Sequence, residues 1–256
     1  MNKKVWIALS FGILSTALSF SSTKALAQDA ATEVNVSAVF VPAHGYDDND
    51  HIVMVVKGEL PHICYTLGET KIEKKGPTLR VHQYAWLRTT GICGNGDLDP
   101  DLTSPYETEV SLGQLDAGKY KIEFLRDQET KNIGTRDFGV AAAETADIDD
   151  YPYASVSDVL SDKILLDDES IKIIIQGTLY FSCEHLQEPV RLERQNDVFV
   201  VMPIVERDRS QPCRHERTEF RYEIRLGQLK AGPYLVHVRA MSGKAVNRVL
   251  DVYRKL

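Results

Sequence analysis

Beyond its first twenty residues the chain has no apolar run near the ~18 to 20 residues that a membrane-crossing helix needs. An excess of positive charge is also missing. Lys+Arg number 30 against 37 Asp+Glu, for a formal net charge of -7, so nothing favours nucleic acid as a partner. There is no G-x-S-x-G elbow, no H-E-x-x-H and no glycine-rich phosphate loop, and His44, His51, His62, His82, His185, His215 and His237 are scattered. These absences remove the familiar sequence signatures of hydrolase, zinc-protease and nucleotide chemistry. No segment carries an amphipathic helical stripe, which removes helical bundles and α/β folds. The four cysteines include no C-x-x-C and have no matching histidine pair, as tetrahedral zinc would require.

The amino terminus reads as a secretory signal over residues 1–27. Lys3 and Lys4 precede an apolar stretch from Val5 to Phe20, and Ala25-Leu26-Ala27 supplies a small-residue cleavage pattern. Export to the periplasm or the cell exterior is therefore expected, and cysteines in an exported chain are expected to pair.

The mature part then says the same thing twice. Leu112-Gly-Gln-Leu-Asp-Ala-Gly-Lys-Tyr120 returns as Leu226-Gly-Gln-Leu-Lys-Ala-Gly-Pro-Tyr234, each copy downstream of its own cysteine pair, Cys64 with Cys93 and Cys183 with Cys213. Gly58 and Gly177 stand six residues before the first cysteine of each copy. Pairing within each copy lets each fold alone, and a bridge closing a loop of about 30 residues stabilises by about 3 to 4 kcal/mol on the chain-entropy account. The acidic, small-residue stretch around 141–153 reads as a linker. This divides the chain into domains at 28–145 and 146–256, each of single-core size.

Within each domain apolar and polar residues alternate with the period of a half-buried strand. Tyr120, Ile122 and Phe124 oppose Lys119, Lys121 and Glu123; Tyr234, Val236 and Val238 oppose Leu235, His237 and Arg239. Further strands are expected over 34–41, 52–56, 79–87, 171–181, 198–205 and 246–253. The fold class expected is all-β, two tandem antiparallel β-sandwiches with one internal disulfide each. The repeated L-x-A-G-x-Y resembles the tyrosine corner of immunoglobulin-like and fibronectin type III-like sandwiches, carried here by Leu115, Gly118 and Tyr120 and by Leu229, Gly232 and Tyr234. The resemblance implies that each tyrosine hydroxyl bonds backbone upstream. The antibody-type bridge is not implied, because Ile122 and Val236 stand where its cysteine would be.

Several candidate sites can be read. Asn95, Asp97, Asp99 and Asp101 gather oxygen donors suited to calcium, without the glycine and glutamate of an EF-hand; no other cofactor is implied. The cluster Tyr46-Asp-Asp-Asn-Asp-His51 reads as a solvated hairpin tip. Arg214, Arg217 and Arg221 suit an acidic ligand, but Glu216, Glu219 and Glu223 are interleaved, so a mutually neutralised surface ladder is the first expectation. Tyr84 and Trp86 read first as core fillers, the common use of a strand tryptophan, and otherwise as flat rings for sugar or peptide recognition, as do Tyr46 and Tyr106 in expected loops.

Net charge falls unevenly, 11 Lys+Arg against 19 Asp+Glu over 28–145 (net -8) and 16 against 18 over 146–256 (net -2), which weakly favours head-to-tail contact. The function expected is a non-catalytic exported binding or accessory protein that contacts a protein or cell-envelope polymer. The alternatives are a small enzyme or inhibitor using His44, Asp47 or His82, and a calcium-stiffened spacer.

Overall fold

The computed structural model describes residues 31–89, 93, 102–127, 129–162, 164–210 and 212–255. The expected signal at 1–27 and the calcium candidates Asn95, Asp97, Asp99 and Asp101 lie outside the described residues.

The first sandwich is built from β1 (Thr32–Val34), β2 (Val36–Phe40), β3 (Tyr46–Asp47), β4 (Ile52–Leu60), β5 (Tyr65–Lys75), β6 (Thr78–Leu87), β7 (Ser104–Gly113), β8 (Gly118–Asp127) and β9 (Asn132–Ala141). The second comprises β10 (Ser155–Ser161), β11 (Leu165–Leu166), β12 (Ser170–Phe181), β13 (Glu184–Leu186), β14 (Arg191–Gln195), β15 (Val198–Met202), β16 (Val205–Arg207), β17 (His215–Gln228), β18 (Gly232–Ala240) and β19 (Lys244–Tyr253). In the first, the sheet β2-β4-β7 faces a larger sheet in which β5, β6, β8, β9 and β3 lie side by side and β1 joins β6. The second repeats the plan, β10-β12-β17 facing β14-β15-β18-β19-β11. Antiparallel pairing predominates. Each half adds the same two parallel pairs, β6 with β8 and β3 with β9, then β15 with β18 and β11 with β19.

Alternation puts Ile52, Met54 and Val56 of β4 against Ile122 and Phe124 of β8 in the first core, and Ile171, Ile173 and Ile175 of β12 against Val236 and Val238 of β18 in the second. Both disulfides close within their own half, Cys64 with Cys93 and Cys183 with Cys213, at Cα separations of 5.6 and 5.0 Å. The paired glycines mark close strand approach: a Cβ on Gly58 would collide with the Asn35 carbonyl and the Tyr106 ring, and one on Gly177 with the Ser155 carbonyl and the Phe220 ring. Left-handed backbone falls on the first glycine of each repeated segment, Gly113 and Gly227, at φ +69° and +79°. That conformation spares glycine the Cβ clash that other residues meet.

Tyr120 and Tyr234 are buried, and each hydroxyl donates to the carbonyl four residues upstream, Asp116 at 2.8 Å and Lys230 at 3.0 Å. Replacing either by phenylalanine orphans that carbonyl. Each change is expected to lower unfolding free energy by about 1 to 2 kcal/mol in denaturant titration, and an unaltered midpoint would show the bond to be idle.

The two sandwiches stack face to face. Strands β15 and β18 bury both faces, and Val198, Val200, Met202 and Leu235, with the partly buried Val249 of β19, meet Ala38, Phe40 and Val55 of the first sandwich in a third apolar cluster that includes Tyr153 and Ile204. Ion pairs and hydrogen bonds ring it: Lys57 with Asp251 at 2.7 Å, Arg136 bidentate to Asp197 at 2.8 and 2.5 Å, and Asn247 donating to Glu109 at 3.0 Å. The result is four sheets in layers. The larger sheet of the first half is outermost at one end, and the smaller sheet of the second half is outermost at the other.

The expectation of a solvated tip at 46–51 is overturned. Tyr46 and Asp50 are each 4% exposed. Arg239 from β18 reaches across, 4.7 Å from the Tyr46 ring centre and 3.1 Å from Asp50, and also donates to the Gly45 carbonyl. Tyr106 is likewise no loop residue: its buried hydroxyl donates to the Asn35 carbonyl at 2.8 Å.

Candidate functional site

Strand β6 carries the chain's clearest surface arrangement of rings. Val81, Gln83 and Ala85 point inward and are buried, which turns His82, Tyr84 and Trp86 outward, each partly exposed. The expectation that Tyr84 and Trp86 fill the core is therefore corrected. The strand keeps its period of two, but its inward set is the odd-numbered one and includes a glutamine.

Gln83, 0% exposed, explains how the arrangement is held. Its amide donates to the Gly68, Glu69 and Tyr84 carbonyls, and its oxygen accepts from Thr70 Oγ1 at 2.5 Å. These bonds tie down the irregularity between Leu67 and Thr70, where β5 departs from regular pairing with β6. A bulge of this kind re-aims neighbouring side chains. Trp86 lies against it, since a Cβ on Gly68 would stand 2.8 Å from Trp86 Nε1. Sequence alternation missed Gln83 and Gly68; the signal present was a polar residue between Val81 and Ala85.

Charged groups surround the rings. His82 Nδ1 lies 2.8 Å from Glu33 Oε1, and its Nε2 lies 3.9 Å from Glu73. Lys71 Nζ sits 5.1 Å from the Tyr84 ring centre and 2.9 Å from Glu69, whose carboxylate holds the Lys71 ammonium above its ordinary pKa. Glu73 is held below the usual carboxylate range, chiefly by its bond to Lys75. The face thus combines two flat rings with carboxylate acceptors and cationic donors.

The corresponding positions of the second sandwich show the contrast. Aligning the parallel pairs sets Thr78, Arg80 and His82 against Val198, Val200 and Met202, and Lys121 and Glu123 against Leu235 and His237. The face that is apolar and covered in one half is polar, ringed and open in the other.

The remaining candidates do not converge. His44 contacts Gln195 and Glu193, Asp47 belongs to the Asp50 turn, and His82 pairs with Glu33, so the three have separate partners. Arg214, Arg217 and Arg221 lie exposed at or before β17, with the Arg217 guanidinium 5.5 Å from the Tyr180 ring centre. A broad cleft of about 880 Å³ opens beside them, lined by Tyr151, Tyr180, Phe181, Arg207 and Asp149 among others. Arg207 is already spent on Glu184 at 3.0 Å and on the Phe181 ring at 4.7 Å, and the Asp149 carboxylate accepts from the Ser242 and Gly243 amides. No group of three or more metal-ligating side chains occurs among the described residues.

Residues 173–250 match the ORF11 beta-sandwich domain. That stretch runs from β12 into β19, the body of the second sandwich, and the ORF11 beta-sandwich domain match covers less than half the chain. No curated protein and no solved structure matches this chain.

Proposed function

We propose that this chain is an exported, non-catalytic binding protein that holds a cell-envelope polysaccharide along the outer face of its first sandwich. The observation that carries the reading is the outward row His82, Tyr84 and Trp86, set among carboxylates and cations on a sheet face whose counterpart in the second sandwich is buried from Val198 to Met202. Aromatic rings offer rigid amphipathic contact area, and neighbouring carboxylates and cations supply the polar contacts that fix orientation. Rings on alternate strand residues stand about 7 Å apart, so an extended chain can cross both. The signal-like residues 1–27 and the two disulfides support an oxidising compartment. The shared topology, the repeated nonapeptide and the matching tyrosine bonds support descent of both sandwiches from one duplicated, tyrosine-corner ancestor.

Retention of the mature protein in gels cast with purified envelope polysaccharide tests the reading. Tyr84→Ala and Trp86→Ala are each expected to weaken retention at least about tenfold, with circular dichroism unchanged because neither ring belongs to the core clusters. If no polysaccharide retards the wild type, or both variants migrate as it does, the proposal fails.

A further inference from the structure

The far end of the stack carries a second surface, independent of the first. Strand β17 is 14 residues long and pairs with β12 on one side only among the described residues. From Thr218 opposite Leu179 to Arg225 opposite Lys172 the ladder is unbroken. A long free edge of this kind is a template for another strand. Proteins commonly blunt such edges with lysines, proline, bulges or an inward-pointing charge, and from Thr218 to Arg225 β17 has none of these.

Its solvent-facing residues alternate in sign: Arg217, Glu219, Arg221, Glu223, Arg225. An antiparallel partner must keep outer residues opposite outer residues, because a one-residue slip would place them against the core-facing set. For two copies of the same strand, centring the two-fold axis on Arg221 sets Arg against Arg and Glu219 against Glu223, and centring it on Glu219 sets Glu against Glu. Centring it on Phe220 sets Glu219 against Arg221 and Arg217 against Glu223, all opposite in sign. A two-fold at Tyr222 also alternates, but each of its pairs uses a group already held, Glu223 or Arg225, whereas about Phe220 the central Glu219–Arg221 pair uses neither and lies inside the unbroken ladder, and only the outer Arg217 meets Glu223. Glu223 is already held by Lys172 at 3.2 Å and Arg225 at 3.5 Å, and the ladder shifts register just beyond Arg225. Glu219 and Arg221 have no ion-pair partner among the described residues.

We infer that β17 is the self-association edge of this protein: two copies pair antiparallel about Phe220, joining their three-stranded sheets into one of six strands, with Glu219 of each facing Arg221 of the other. Such an interface is isologous and closed, so association stops at the dimer. Its axis stands perpendicular to the joined sheet, so both stacks rise on the same side and both His82–Trp86 faces look the same way. That last consequence alone bears on polysaccharide binding, where it would add avidity.

Sedimentation velocity of the full mature chain at low and high salt is the test. The wild type is expected to dimerise and to dissociate as salt rises, because the pairing rests on exposed charge. Glu219→Arg and Arg221→Glu should each raise the dimer dissociation constant at least about tenfold, and the double variant E219R/R221E should restore it. That recovery is specific to the Phe220 register, since about Tyr222 both exchanged residues would meet like charge. A wild type that stays monomeric at about 100 μM in low salt, where weak pairs still associate, overturns the inference. So does a dimer indifferent to the single exchanges, or a double variant that fails to recover while its circular dichroism remains native. Loss of polysaccharide binding without a change in sedimentation would leave it standing.

Discussion

Lowering the pH from 7 to 5 is expected to remove about 2 kcal/mol of folding stability through one side chain, His237. It lies on β18 between the stacked sandwiches, 1% exposed. Its Nδ1 is 2.8 Å from Asn247 Oδ1, and its Nε2 has no hydrogen-bond partner. The Tyr46 ring stands 5.9 Å away edge-on, and Arg239 projects from the same face of β18. Burial, and then the Arg239 charge, hold the imidazole neutral to a pKa of about 3, against the smaller opposing pull of Asn247.

The folded value is depressed below the unfolded one near 6.5, so the unfolded chain takes up the proton first as pH falls. The contribution is therefore complete above about pH 6.5 and is lost progressively between there and about pH 3. Denaturant titrations at pH 7, 6 and 5 should show a stability slope that His237→Gln largely abolishes, since glutamine can still donate to Asn247. Parallel pH profiles for the two proteins would show that His237 does not carry the effect.

The second large effect concerns its neighbour. Arg239→Ala is expected to cost about 3 to 5 kcal/mol, the usual penalty for stranding one member of a buried ion pair. Arg239 contacts Asp50, the Gly45 carbonyl and the Tyr46 ring together, and Asp50 also accepts from the Asp47 amide at 3.2 Å. Burial of the Tyr46 phenol pushes its pKa well above the ordinary range, so it stays neutral and cannot replace Asp50 as counter-ion. Removing Asp50 in the Arg239→Ala background should then add much less than removing it alone, because the charge it leaves behind is already gone. Additive losses in that double-mutant cycle would mean that the two do not act as a pair.

Much of the fold was legible because its signals are local. Period-two alternation marked β4, β6, β8, β12, β18 and β19, and the repeat with its cysteines announced two similar halves and the bridges within them. Strand β5 escaped because its phase changes midway: Tyr65 and Leu67, then Thr70 and Ile72, turn inward on either side of the irregularity between Leu67 and Thr70, so no single period of two runs through it. It is an edge strand, and only Tyr65, Leu67 and Ile72 of its apolar residues pack against the core. The candidate site was only half legible: Tyr84 and Trp86 were visible as a pair, but their direction depends on Gln83, a polar residue that satisfies every bond of its amide inside the sandwich.

The amino-acid order by itself determined that the chain builds β-sandwiches, two of them, each closed by its own disulfide, because alternation, turn residues and cysteine spacing act within one module. Only the tertiary structure decided which faces water sees. Leu235, His237 and Arg239 have the mixed character of a solvent face, and are covered because Phe40, Val55 and Asp50 arrive from 180 or more residues away. Burial of that kind is a property of two surfaces meeting, and neither surface records it alone.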